Sequence, residues 1–469
     1  MRTPRPDLLE AGQTEAKASA AAPGAAALGV DDLLVTAEAV ITLDPEWRLF
    51  APGYLAVRDG RISALGPADE AQDRKALRRL DTGKSLLMPG FVNTHTHISM
   101  AAFRGACEDA PDRLTRYIFP MEKNLVTPGL TYWSSLFCLC EMARSGTTTF
   151  ADMYYFEDEV AAATELAGMR AILGETLVDQ GSPDAADFSA GMDYARAFIE
   201  AWKGHPRIRP CFAPHAPYTV DAQHLAEIAA EAAALDVDVM MHVAEMDFEN
   251  ERFSGIGGSV LKYLDGVEGL LTNRLLAVHM LFVDDADISI ASARGLRVAH
   301  CPASNAKSGR LVSPAWRMQK AGIPLGLGTD GPLSGNGMDM EGVLNLFPKL
   351  QKVRERNRAI LPARDALRAA TLGGAEALGL GDETGSLEVG KKADFLLVGL
   401  DDFNMRPVYD WYSTVVYAMR PHNVESVFVD GRPVVEDGRM QGFDQDEVMA
   451  EMEKLQRNCS SYIGELSRT

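Results

Sequence analysis

Between Phe91 and Asp330 the chain repeats one unit. A short apolar run of strand character leads into an Ala-rich helical segment, and the residue closing the run is repeatedly a histidine. Ile208-Arg209-Pro210-Cys211-Phe212-Ala213 precedes a helical stretch from Ala222 to Leu235, and Val237-Asp238-Val239-Met240-Met241-His242 follows it. Leu275-Leu276-Ala277-Val278-His279, Leu296-Arg297-Val298-Ala299-His300 and Leu325-Gly326-Leu327-Gly328-Thr329-Asp330 continue the series. Parallel strands cannot be joined by tight hairpins, so strand–helix alternation implies a parallel sheet. About eight such units between residues 89 and 383 match the size of a (β/α)8 barrel. The expected class is α/β, a TIM-like barrel carrying a small β-sandwich domain.

That second domain is read from the two chain ends. Asp32-Leu33-Leu34-Val35-Thr36 and Ala39-Val40-Ile41-Thr42-Leu43 are short β-like runs, and Asp59-Gly60 between two alternating runs signals a hairpin. The same texture returns at Ala393-Asp394-Phe395-Leu396-Leu397-Val398 and Val424-Glu425-Ser426-Val427-Phe428-Val429. Domain termini tend to lie close together, so both ends are expected in one layer. The expected division is a disordered tail over 1–29, a composite β-sandwich from 30–88 plus 384–444, a catalytic barrel over 89–383 and a C-terminal helix over 445–469. The tail is rich in Ala, Gly and Pro and offers too little apolar surface to offset its ordering entropy.

Net charge is −20, with 46 basic against 66 acidic residues. Phosphate backbones and anionic lipid need a basic face, so nucleic acid and membrane are excluded as partners. The six cysteines form no Cys-x-x-Cys pair and no dense framework. They point to a reducing compartment, and a cytoplasmic location is expected.

In a barrel the strand C-termini gather at one face. His95, His97, His215, His242, His279, His300 and Asp330 would therefore converge, whereas His205, His224 and His422 fall on a loop, a helix and the β unit. His95 and His97 are spaced i, i+2, which on a strand aims both imidazoles at one point. His95, His97, His242 and Asp330 supply three neutral nitrogens and one hard carboxylate, a set suited to one divalent metal, Zn²⁺ above Fe²⁺. Such a metal lowers the pKa of a water, and Asp330 can take a proton from it. Glu245, three residues after His242, is placed to shuttle a proton to the substrate. His279 is suited to stabilising the attacking water or an oxyanion. His300 is read either as support for the ligands or as a substrate contact.

Pro89-Gly90-Phe91-Val92-Asn93-Thr94-His95-Thr96-His97, His242-Val243-Ala244-Glu245, His300-Cys301-Pro302-Ala303-Ser304-Asn305 and Gly328-Thr329-Asp330-Gly331 occur in this order. On these motifs the chain resembles the amidohydrolase superfamily. Within it the chain is similar to the branch of methylthioadenosine and S-adenosylhomocysteine deaminases and triazine chlorohydrolases. The resemblance implies a mononuclear site and hydrolytic deamination of an amino-purine nucleoside such as methylthioadenosine, adenosine or S-adenosylhomocysteine, with release of ammonia. The alternative is hydrolysis of an s-triazine or another amino-heterocycle, with a cyclic amide behind it. The resemblance further implies that Glu122 binds ribose hydroxyls, that His215 contacts substrate and that Ser334 lines the pocket. Glu175 stands where homocysteine-tail-binding relatives carry an arginine, and Arg113 and Glu159 stand where tryptophans are common. A carboxylate at Glu175 would repel a carboxylate tail, so a neutral or cationic tail is expected. The expected partner is a small amino-heterocycle, bound by a homo-oligomer.

Overall fold

The computed structural model describes residues 29–110, 112–255 and 258–466. The expected tail therefore lies almost wholly outside the described residues. The N-terminal segment forms β1 (Asp31–Ala37), β2 (Ala39–Ile41), β3 (Leu49–Phe50), β4 (Gly53–Arg58), β5 (Arg61–Pro67), β6 (Ala76–Asp81) and β7 (Ser85–Pro89). Asp59 and Gly60 both take positive φ, 53° and 72°, and Arg58 pairs with Arg61 across them. Two left-handed residues give the turn twist that a right-twisted hairpin needs.

Eight parallel strands then follow in chain order: β8 (Phe91–Thr96), β9 (Thr147–Tyr154), β10 (Arg170–Leu177), β11 (Ile208–Pro214), β12 (Val239–Val243), β13 (Leu275–His279), β14 (Arg297–His300) and β15 (Leu325–Leu327). β9 and β10 are buried along their whole length, as barrel strands covered on both faces must be. The ring is drawn together between β15 and β8. The Asp330 amide donates to the His95 carbonyl at 3.1 Å, and Asn93 Nδ2 donates to Thr329 Oγ1 at 2.8 Å. A Cβ on Gly326 would lie 2.2 Å from Thr94 Cγ2, so only glycine lets β15 approach β8 this closely.

After the barrel come β16 (Phe395–Gly399), β17 (Val424–Val429), β18 (Arg432–Glu436) and β19 (Arg439–Met440), then the helix Gln445–Leu466. β16 pairs antiparallel with β7, so a seven-stranded sheet, β19-β18-β17-β16-β7-β2-β3, draws on both chain ends. A four-stranded sheet, β5-β4-β1-β6, belongs to the N-terminal segment alone. Leu33, Val35, Leu55, Val57, Leu87, Phe395 and Phe428 form one apolar cluster that draws on both sheets.

The barrel is tied to this layer through one buried cation. Arg170, at the start of β10, is 2% exposed. Its Nε donates to Asp394 Oδ2 at 3.0 Å and its Nη2 to Asp430 Oδ1 at 2.7 Å. Thr384 Oγ1 and the Asp430 amide complete the shell of Asp394. Among the described residues, no helix is long and apolar enough to cross a membrane.

Candidate active site

The ends of the barrel strands carry the histidines to one place. The ring centroid of His95 lies 4.6 Å from that of His97, 5.0 Å from that of His242 and 5.7 Å from that of His279. Asp330 Oδ1 stands 3.6 Å from His97 Nε2 and 3.9 Å from His95 Nε2. Two groupings of donor atoms, each within 4.8 Å, share His95: His95–His97–Asp330 and His95–His242–His279. The backbone is bent to aim them. His279 takes φ +73° and Asp330 φ +63°, left-handed values that L side chains rarely adopt and that cluster at functional sites.

The tautomers follow from the hydrogen bonds. A carbonyl can only accept, so His97 Nδ1–H donates to the Met153 carbonyl at 2.6 Å, and His242 Nδ1–H donates to the His215 carbonyl at 2.8 Å. Each bond leaves Nε2 as a lone-pair donor, the arrangement that orients a ligating histidine. His95 is fully buried, and among the described residues neither ring nitrogen has a hydrogen-bond partner. A buried polar atom without a partner is costly unless something else satisfies it. Burial, with the neighbouring imidazoles, holds His95 and His242 well below the usual histidine range. They are neutral, the state in which imidazole binds a metal. The donor set fits a divalent cation.

Glu245 sits beside these rings, in the loop after β12. Its Oε1 contacts Arg310 Nη1 and lies 3.8 Å from His279 Nε2. Burial opposes ionisation, but His279 and Arg310 outweigh it and hold the carboxyl well below its ordinary range. The loop itself is fixed from beneath by Glu249, fully buried, whose Oε2 accepts from the Ala244 amide at 3.1 Å. Its Oε1 accepts from the Glu245 and Met246 amides, both at 2.8 Å.

A cavity of about 810 Å³ opens over this face. His97, His242, His279, Asp330 and Glu245 reach it, as do Glu122, His215 and Ser334. Glu122 is buried beside Tyr154. Burial raises its carboxyl to about 7, partly offset by His97. Burial lowers His215 to about 4, with Glu245 pulling the other way, so this imidazole is neutral. Its Nδ1 faces Thr219 Oγ1 at 2.9 Å. Phe119, Tyr218 and Phe248 add aromatic surface, suited to a planar ring.

Two expected substrate contacts lie elsewhere. Glu175 is 1% exposed and stands outside the cavity lining. Its Oε2 accepts from the Glu157 amide at 3.2 Å. Burial, then the neighbouring carboxyls of Asp184 and Glu157, holds it well above the carboxylate range. It presents no charge to a ligand, so the repulsion expected of it does not arise. Its side chain faces the start of the preceding helix, Glu157–Ala167, rather than the mouth. His300 is also buried outside the lining, its ring 5.5 Å from that of Phe347. Of its two expected roles, substrate contact is the one this placement removes. Arg113 lines the cavity, whereas Glu159 does not.

The sequence alone does not mark Arg310, Glu249 or Tyr154 as site residues. Arg310 lies in Ser308-Gly309-Arg310, with no periodicity or motif to mark it, and only the folded loop brings it to Glu245. Glu249 had a signal, since an acid at the third helical position caps the amides of the turn before it.

The profile of the amidohydrolase family matches residues 86–434. A 5-methylthioadenosine/S-adenosylhomocysteine deaminase of Syntrophobacter fumaroxidans is 39% identical over 430 residues, covering 91% of this chain and 98% of that protein. One from Syntrophus aciditrophicus is 38% identical, covering 90% and 96%. A crystal structure of an adenosine deaminase from Xanthomonas campestris with bound zinc superposes with a TM-score of 0.90 at 34% identity, covering 92% of this chain and 99% of that one. An atrazine chlorohydrolase from Arthrobacter aurescens, at 22% identity and a TM-score of 0.84, shares the fold.

Proposed function

The chain belongs to the amidohydrolase family, and from that premise we propose that it hydrolyses the exocyclic C–N bond of an amino-purine nucleoside at a single metal ion. The observation that carries this reading is the fully buried His95, both ring nitrogens without a hydrogen-bond partner among the described residues, beside donors that share a cavity with Glu245 and Glu122. His95, His97, His242 and Asp330 would hold the ion, and three imidazoles with one carboxylate suit Zn²⁺. The bound cation supplies a water of lowered pKa and positive charge against the charge that develops on the attacking oxygen.

The remaining chemistry belongs to the side chains. Glu245 rests as a carboxylate, so it accepts a proton first and donates second. It takes the proton of the attacking water and passes it to the ring nitrogen next to the amine-bearing carbon. A C–O bond forms there while the ring C=N bond becomes single. Asp330 takes the second proton and delivers it to the amine. The C–N bond then breaks as an electron pair on the oxygen closes to C=O, the ring nitrogen keeps its proton, and ammonia leaves with both carboxylates regenerated. His279 steadies the developing oxyanion. Glu122 holds ribose hydroxyls, and His215 and Ser334 contact the base.

The named relatives support methylthioadenosine, adenosine or S-adenosylhomocysteine as substrates. With Glu175 buried and uncharged, a carboxylate tail meets no repulsion from that residue. Ammonia release from these nucleosides and from an amino-s-triazine separates the readings. Turnover is expected with at least one nucleoside, and turnover of the triazine alone would overturn the nucleoside assignment.

A further inference from the structure

Two levels of support converge on Glu245. Glu249 fixes the backbone, accepting the amides of residues 244, 245 and 246. The side chain is fixed separately. Arg310 Nη1 and His279 Nε2 both approach Oε1, and among the described residues nothing is hydrogen-bonded to Oε2. One oxygen is tethered and the other is left to face a ligand. Arg310 is placed for this and for little else. Among the described residues its guanidinium has no other hydrogen-bonding or ion-pair partner, and it lines the cavity beside Glu245.

Its own segment is anchored. The Arg310 amide donates to the Asn305 carbonyl at 3.1 Å, closing the end of the helix Pro302–Lys307. Gly309, at φ +67°, turns the chain so that Arg310 re-enters the site. Lys307 pairs with Glu108 across the cavity mouth at 2.5 Å, holding the same segment from the other side. An unconstrained carboxylate would rotate among several rotamers, and proton transfer requires the donor atom within hydrogen-bond reach of its target.

We propose that Arg310 is the positioning residue for Glu245, locking Oε1 so that Oε2 is presented to the ring nitrogen of the substrate. This rests on the proton-carrying role of Glu245 proposed above. Arg310 acts through that carboxylate and not by contact with the substrate.

The test is steady-state deamination by Arg310→Met, Arg310→Lys, Glu245→Gln and the double variant Arg310→Met/Glu245→Gln, each with its metal content and melting temperature measured. Arg310→Met is expected to lower kcat by about a hundredfold, the scale of a misplaced catalytic group. KM should stay within about twofold, because no ground-state binding contact is removed. Metal content should be unchanged. Arg310→Lys should recover part of kcat, since an ammonium can still hold Oε1. In the Glu245→Gln background the Arg310 substitution should cost nothing further, the non-additivity expected of one unit. An unchanged kcat in Arg310→Met, a loss confined to KM, or a full extra loss in the double variant would each overturn the proposal. If Glu245→Gln itself turns over normally, the role of Glu245 fails first, and that result is separable from any result on Arg310.

Discussion

Two clusters of buried polar groups lie at opposite ends of the same barrel, and they differ in one respect. At the start of β10, Arg170 meets Asp394 and Asp430, and hydrogen bonds from Thr384 and the Asp430 amide complete the set. At the far ends of the strands, among the described residues, His95 and His300 have no hydrogen-bond partner at either ring nitrogen, nor does His279 at Nδ1. Both clusters are expensive to desolvate. The first is closed by the protein itself and reads as a rivet between barrel and sheet. The donor set of the second fits a divalent cation.

The largest expected effect is on the open cluster. His95→Ala should leave the fold intact, abolish metal retention and reduce ammonia release to background. Retained metal with retained turnover would erase the distinction between the two ends. The closed cluster should behave in the opposite way. Arg170→Met leaves the buried Asp394 without its cation and Asp430 with Lys392 alone, and should destabilise by about 3–5 kcal/mol, with kcat unchanged in the folded fraction. Denaturant titration checks the first value and active-site-normalised kinetics the second.

A smaller, pH-dependent effect sharpens the contrast. Burial opposes ionisation of Asp430, but Arg170 and Lys392 outweigh it and hold the carboxyl below its ordinary value of 3.8. A depressed folded-state pKa contributes stability that is present above 3.8 and is lost as pH falls through the folded value. Asp430→Asn should therefore cost about 1.5–3 kcal/mol near neutrality, and the gap from the parent should close in strong acid. A difference that persists unchanged at low pH would mean the pair is not ionic.

The barrel was legible because its signal is periodic. Strand runs that close on His242, His279 and His300 repeat one pattern, and a parallel sheet follows from the alternation. The convergence of His95, His97, His242 and Asp330 was legible for the same reason, since residues at strand ends must share a face. The support around them was not. Glu249 and Arg310 reach Glu245 from a helix and a loop, and no repeat registers their approach. Glu175 failed in a different way. Sequence position put it on the right strand, but it could not show that the side chain packs against Glu157 and Asp184 instead of entering the cavity. The substrate tail therefore has to be read from the groups at the mouth, Glu108, Arg113 and Lys307 among them.

The central claim is that the unsatisfied strand-end cluster is a metal-dependent deamination site. It is tested most directly by assaying ammonia release from adenosine and methylthioadenosine before and after chelation, with metal content measured alongside. The expected result is about one divalent ion per chain, loss of activity in proportion to metal removed, and recovery when Zn²⁺ is restored. Full turnover by metal-free protein would contradict it.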